Sequence, residues 1–244
     1  MQLAVFDLDH TLLPLDTGEV WVRWLLAASG RDPAPVVRET ERFTREYRAG
    51  IIDIDEFMAF QLGFLAGFER AFLDRCLAEY IEHVVRPAVP EASRRLVEEH
   101  RRAGHHTALC TATYSYVTRP VAALFGIDTV LASRPLENLD GSFTGTMQGP
   151  ASFSEGKVEF VKNLLAERGL ERPEAMWFYS DSCADLPLFE LCASWGGVNT
   201  AVNAEPALEA IARRRGWCEM HTFDAQDLAR VDALRESLVR PRGN

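Results

Sequence analysis

Leu3-Ala4-Val5-Phe6-Asp7-Leu8-Asp9-His10-Thr11-Leu12 opens as an apolar run and then presents two carboxylates one residue apart. A run without polar alternation reads as a central parallel strand covered on both faces. Ligands of open α/β sheets bind beyond the carboxyl ends of such strands, which is where Asp7 and Asp9 stand. Two crowded carboxylates repel unless a cation or a shared proton offsets them, so the pair suits a hard divalent metal with oxygen ligands, most simply Mg²⁺. The competing reading is a pair of turn or helix-capping aspartates. Features elsewhere in the chain must decide between the two.

Downstream the pattern turns helical. From Thr17 to about Val85, apolar residues recur at spacings of three and four: Trp21, Trp24, Leu25 and Ala28, then Phe57, Phe60, Gln61, Phe64 and Leu65. Between these runs Asp53 is placed to cap a helix, with Glu56 at capping-box distance. Arg86-Pro87-Ala88-Val89-Pro90 marks a boundary, after which an amphipathic helix runs from Glu91 to Ala103. Strand and helix then alternate: strands at His106–Cys110, Thr129–Ala132, Met176–Tyr179 and Ser194–Val198, helices at Tyr114–Phe125, Gly156–Arg168, Asp185–Cys192 and Pro206–Arg215. Asp140-Gly141 suggests a hairpin within residues 133–150. The expected architecture is α/β: a doubly wound, Rossmann-like parallel sheet core formed by residues 1–14 and 87–244, with a helical cap domain inserted at 15–86.

Composition narrows the function classes. Of 244 residues 47% are hydrophobic and 25% charged, as in ordinary globular proteins, and the net charge is -10. Such a balance argues against a nucleic-acid partner, which needs a clustered cationic footprint. The basic runs Arg101-Arg102 and Arg213-Arg214-Arg215 read as solvated helix ends. Five cysteines without a CxxC spacing suggest reduced thiols in a cytoplasmic protein, and the six histidines form no zinc-ligand array. No signal peptide and no membrane span are expected. The partner is then a small molecule, bound by a monomer or homodimer.

Three further strand ends carry chemistry. One closes in Thr111-Ala112-Thr113, where a hydroxyl and backbone N–H groups suit a phosphoryl oxygen, although a Thr helix cap explains it too. Lys157 opens a helix, an electrostatically poor position unless it faces solvent or answers a cluster of anions. Ser180-Asp181-Ser182-Cys183-Ala184-Asp185 sets two carboxylates four apart at a helix start, as caps or as two groups facing one pocket. Their coincidence at one sheet edge describes acids for a cation, a balancing lysine, and donors for phosphate.

At this point the chain resembles the haloacid dehalogenase-like hydrolases, specifically the phosphoserine phosphatase-like branch. The first family motif, DxDxT, stands as Asp7-Leu8-Asp9-His10-Thr11, and the second as Leu109-Cys110-Thr111-Ala112-Thr113. Lys157 matches the third and Ser180 to Asp185 the fourth, with a helical cap between the first and second. The resemblance covers nearly the whole chain. It implies a phosphomonoesterase in which Asp7 attacks phosphorus to form an aspartyl-phosphate, and Asp9 serves as general acid and then base. It also implies Mg²⁺ held by Asp7, the Asp9 carbonyl and Asp181, with Asp185 behind them, and phosphate held by Thr111, the Ala112 N–H and Lys157.

Substrate follows less directly. Where phosphoserine phosphatases present a Glu to the substrate amine, this chain resembles them with Asp16, and their cap arginine for the serine carboxylate has no clear counterpart. The cap segment Tyr47-Arg48-Ala49-Gly50 with Asp53-Ile54 resembles bacterial histidinol-phosphate phosphatases of this branch. Phe57, Phe60 and Phe64 either greet a ring-bearing substrate or form the cap's own core. Histidinol phosphate is the expected substrate, with phosphoserine hydrolysis, or a phosphomutase or phosphotransferase using the same intermediate, as alternatives. A receiver-like module phosphorylated on Asp7 fits less well, given the large cap and Asp9 two residues on.

Overall fold

The computed structural model describes residues 1–32 and 34–239. It begins with β1 (Gln2–Phe6), α1 (Thr17–Ser29), α2 (Ala34–Arg48), α3 (Ile54–Ala66) and α4 (Arg70–Tyr80). The last of these runs on through a wider turn at Ile81–Val85 into α5 (Arg86–Ala88), followed by α6 (Glu91–Arg102). Then come β2 (His106–Thr111), α7 (Ser115–Phe125), β3 (Thr129–Ala132), β4 (Pro135–Glu137), β5 (Phe143–Met147), α8 (Glu155–Ala166) and β6 (Ala175–Ser180). A short turn at Cys183–Asp185 leads into α9 (Leu186–Ser194), β7 (Val198–Val202), α10 (Pro206–Arg215), β8 (Cys218–Met220) and α11 (Ala225–Val239).

Six strands form a parallel sheet in the order β3-β2-β1-β6-β7-β8. β1 is central: Leu3 stands opposite His106 on one side and Met176 on the other. Its side chains alternate between two cores, Ala4 and Phe6 joining one, Leu3 and Val5 the other, all fully buried. Each such side chain contributes about 1.5–3 kcal/mol by leaving water, which is why the opening run has no polar alternation. The strand order reverses direction between β1 and β6, so the crevice beyond these two carboxyl ends is where a ligand is expected.

The helices α1 to α4 follow from local chemistry. Asp16 caps α1 by accepting from the Glu19 amide at 2.7 Å, and Asp53 caps α3 by accepting from the amides of Asp55 and Glu56, both at 3.0 Å. Only half of the expected capping box forms, because Glu56 reaches across to Arg42 at 2.7 Å instead. Phe57 and Phe60 pack on the buried Phe43 with centroids 5.2 and 5.4 Å apart, and Phe60 on Phe64 at 5.5 Å. These rings build the interior of the helical insertion. The hairpin β4-β5 lies against α3 so closely that a Cβ on Gly145 would come within 3.2 Å of the Ala66 Cβ.

Two sequence expectations need correction. Ser194 ends α9, and the strand expected at Ser194–Val198 lies at Val198–Val202, displaced past a turn in which Gly196 takes a left-handed φ of 72°. The alternation read from the sequence stops at the helix Pro206–Arg215, but β8 and α11 follow it, and α11 has charged residues too evenly spread for a strong apolar stripe. Arg101 and Arg102 pair with Glu98, Arg213 with Glu209 and Glu219, and Arg215 with Glu190, all on the surface. All five cysteines are unpaired. No helix among the described residues is long and apolar enough to cross a membrane.

Beneath the β1/β6 junction Phe6 stacks on Tyr179 at 4.9 Å, and the Tyr179 hydroxyl hydrogen-bonds the His100 Nε2 at 2.7 Å. Burial, and then the neighbouring His105, lower the His100 pKa from 6.5 to about 4. Between these values the unfolded chain binds a proton that the folded chain does not, so the stabilisation is complete above pH 6.5 and is lost as pH falls through about 4. Relative to His100→Phe, the native chain is expected to lose on the order of 3 kcal/mol across that window. Urea unfolding of both proteins from pH 7 to pH 4 measures it, and a constant difference would exclude a neutral buried imidazole.

Candidate active site

β1 ends at Phe6, and the next amide, that of Asp7, still donates to the Tyr179 carbonyl at 2.9 Å, so the Asp7 side chain leaves the sheet at its edge. His10 then takes a left-handed φ of 60° and the chain folds back, the amides of Leu12 and Leu13 donating to the Leu8 carbonyl. This reversal turns Thr11 inward. Its hydroxyl lies 3.1 Å from Asp7 Oδ2 and 2.9 Å from Asp181 Oδ1, and it accepts from the Asp181 amide at 3.0 Å. Two carboxylates from neighbouring strand ends therefore converge on one hydroxyl.

Lys157 answers them. Ser154 has a φ of 49°, and Gly156 approaches the Ala151 carbonyl so closely that a Cβ there would lie 2.0 Å from the oxygen; only glycine permits that turn. The turn swings Lys157 inward, 4% exposed, with its Nζ 2.8 Å from Asp7 Oδ1 and 2.7 Å from Asp185 Oδ2. Burial alone would lower its pKa, but Asp185 and then Asp7 outweigh that and keep the ammonium charged. Ser180 donates to Asp185 Oδ2 at 2.6 Å and completes the support. Of the two readings open for Lys157, the structure has it facing anions.

Asp9 points the other way, toward α1 and α7. Its Oδ1 accepts from the Thr17 amide and hydroxyl, both at 2.7 Å, and its Oδ2 faces the Thr113 hydroxyl at 2.7 Å. Burial, then the charge of Asp16, raise its pKa to about 8. Asp7 and Asp9 thus have unlike surroundings. Thr111, buried at the end of β2, accepts from the Thr113 amide at 3.2 Å, which leaves its own O–H to donate. Asp16 sits at the start of α1, close enough to raise the Asp9 pKa, with its own carboxyl pushed up by burial.

A cation fits this edge. Asp181 is raised well above the usual carboxylate range by burial and then by the charge of Asp7, a repulsion that a bound divalent ion would remove. Among the described residues no three acidic, His or Cys side chains form a ready-made metal cage. Mg²⁺ is commonly held by one or two carboxylates together with water and substrate oxygens, and Asp7 and Asp181, which meet at the Thr11 hydroxyl, are the carboxylates that would hold it here.

Sequence reasoning missed Thr17, Thr113, Ser180 and Tyr47. Thr113 and Ser180 lay inside motifs already singled out and Tyr47 inside the cap segment quoted for substrate, with no role assigned to them, whereas Thr17 reaches the site only through helix placement. The Tyr47 hydroxyl, from α2, hydrogen-bonds that of Ser182.

Comparison with known proteins shows the family. A family model describing haloacid dehalogenase-like hydrolases matches residues 4–190. The histidinol-phosphatase of Neisseria meningitidis serogroup C is 35% identical over 217 residues, covering 88% of this chain and 96% of its own. A Bordetella pertussis Tohama I protein of unknown function superimposes with a TM-score of 0.83 at 38% identity, covering 91% of this chain and 99% of its own. A phosphoserine phosphatase solved as an analogue of its phospho-aspartyl intermediate shares the fold, with a TM-score of 0.62 at 17% identity over 98% of this chain and 97% of its own.

Proposed function

Since the chain belongs to the haloacid dehalogenase-like hydrolases and is a phosphatase of that family, we propose that it hydrolyses a small phosphate monoester, histidinol phosphate, through an aspartyl-phosphate on Asp7. The observation that carries the chemistry is the division of labour between the two carboxylates of the first motif. Asp7 is held by the Lys157 ammonium and the Thr11 hydroxyl, which orient it as an anionic nucleophile. Asp9, with a pKa raised to about 8, retains its proton at neutral pH and is poised to give it to the leaving alkoxide. The neighbouring Thr113 hydroxyl can rotate from donor to acceptor as that proton comes and goes.

Charge in phosphoryl transfer spreads over three equatorial oxygens, so positioning and cationic stabilisation supply most of the rate. Lys157, the Thr111 hydroxyl and the Ala112 N–H are the groups to receive those oxygens. When bound by Asp7, Asp181 and the Asp9 carbonyl, Mg²⁺ supplies Lewis-acid neutralisation of the phosphoryl charge. After the alkoxide departs, Asp9 is left as the base for the water that attacks phosphorus and frees Asp7.

Asp16, half-buried and close enough for its charge to act on Asp9, supports an amine-bearing substrate. The cap guanidinium of Arg42 is engaged by Glu39, Glu46 and Glu56, which leaves it poorly placed to grip a substrate carboxylate. The Neisseria relative acts as support for the same choice. A panel of phosphate esters including histidinol phosphate, phosphoserine and an aryl phosphate tests the reading. We expect Mg²⁺-dependent release of phosphate, abolished by a chelator, with kcat/KM for histidinol phosphate at least about tenfold above phosphoserine, or ~1.4 kcal/mol of discrimination. Preference for phosphoserine would overturn the substrate, and alcohol phosphorylation outrunning phosphate release would overturn hydrolysis.

A further inference from the structure

Tyr47 stands near the end of α2, on the helical insertion, yet its hydroxyl meets the Ser182 hydroxyl 135 residues away, while its ring packs against Phe153 at 6.3 Å. The ring is 39% exposed, but burial raises the phenol pKa and keeps the hydroxyl protonated. Ser182 follows Asp181 directly and is itself well connected. Its Oγ accepts from the Ala184 amide at 3.1 Å, and its own amide donates to Ser180 Oγ at 3.3 Å. Ser180 in turn donates to Asp185 Oδ2, and Asp185 shares Lys157 with Asp7. An unbroken series of hydrogen bonds therefore runs from a cap side chain to the nucleophile.

The placement is complementary to the other cap attachment. α1 reaches Asp9 through Thr17, on the side of the sheet that carries β2, whereas Tyr47 reaches the turn after β6 on the opposite side. We infer that Tyr47 is a positioning residue whose hydroxyl ties closure of the cap to the ordering of the Asp181–Asp185 turn, an inference that rests on the phosphatase reading above. Tyr47 touches no reacting atom; it acts through Ser182.

A double-mutant cycle separates this from general packing. Wild type, Tyr47→Phe, Ser182→Ala and the double variant are compared on the aryl phosphate and on the preferred metabolite. Tyr47→Phe should lower kcat about fivefold to tenfold, the effect of losing one hydrogen bond, with KM changed less than about twofold. Ser182→Ala should lose at least as much, and the double variant no more than Ser182→Ala alone. Multiplied losses, or a Tyr47→Phe enzyme with wild-type kcat, would overturn the inference. Amide exchange of residues 181–185 in wild type and Tyr47→Phe, measured without substrate, gives a readout independent of turnover: it should speed up about fivefold in the variant while β1 and β6 stay unchanged. Unchanged exchange in the turn overturns the coupling, whereas a wild type that hydrolyses no ester overturns the phosphatase reading instead.

Discussion

Asp7→Asn is expected to lower turnover by at least about 10⁴, equivalent to more than ~5 kcal/mol of transition-state stabilisation, while leaving the protein folded. The amide has the carboxylate's shape but no anionic oxygen to attack phosphorus, so the covalent step is lost rather than slowed. Stability should move the opposite way. Asp7 repels the buried Asp181, and its removal relieves that repulsion while Lys157 keeps Asp185 as its partner. Steady-state kinetics with an acid quench that traps the hydroxylamine-sensitive aspartyl-phosphate, together with thermal unfolding, measure both effects. A variant retaining more than about one hundredth of native turnover would remove Asp7 from the nucleophile's role.

Lys157→Met carries the second large effect, on folding as well as rate. The ammonium sits 2.8 Å from Asp7 and 2.7 Å from Asp185, almost wholly out of water. Removing one member of a buried ionic group leaves its partners uncompensated, at a cost of about 3–5 kcal/mol. Turnover should fall about 10³-fold, because a cation preorganised toward phosphoryl oxygens is lost. The stability deficit has a pH signature. Without Lys157 the carboxyls of Asp185 and Asp181, already raised by burial, are raised further, so the folded state takes up protons as pH falls, and the deficit shrinks from pH 8 toward pH 5. Urea unfolding at both pH values measures it; a variant as stable as the native chain at pH 8 would show that Lys157 does not neutralise this cluster.

Asp7, Thr111, Asp181 and Asp185 were legible in the sequence because each stands at or soon after the end of an apolar strand, and Lys157 because a cation at a helix start is electrostatically poor. Asp7, Thr111, Lys157, Asp181 and Asp185 all gather at the edge where β1, β2 and β6 end. The parallel sheet was legible for the same reason. What escaped depends on tertiary placement. Thr17 looks like any first-turn threonine until α1 docks over Asp9, and Tyr47 looks like a surface aromatic until α2 is laid across the Asp181 turn. The phenylalanines of α3 show the converse: at helical spacing they could serve a ligand or a core, and only their contacts with Phe43 assign them to the core. β8 and α11 were missed because a three-residue strand and a charge-rich helix leave no period to read.

The central position of β1 has a consequence for how the protein comes into being. β1 is made about a hundred residues before its neighbour β2, and longer before β6. Contacts this distant in sequence close late, because loop entropy must be overcome before they stabilise anything. Thr11 and Asp181, 170 residues apart, and Lys157 and Asp7, 150 apart, are among them. A nascent chain that has emerged only through its helical insertion already carries both aspartates of the first motif, but neither the lysine nor the partner carboxylates. Its β1 stays an unpaired apolar strand until β2 and β6 are made. The gathered site exists only once β6 and the Asp181–Asp185 turn have docked beside β1.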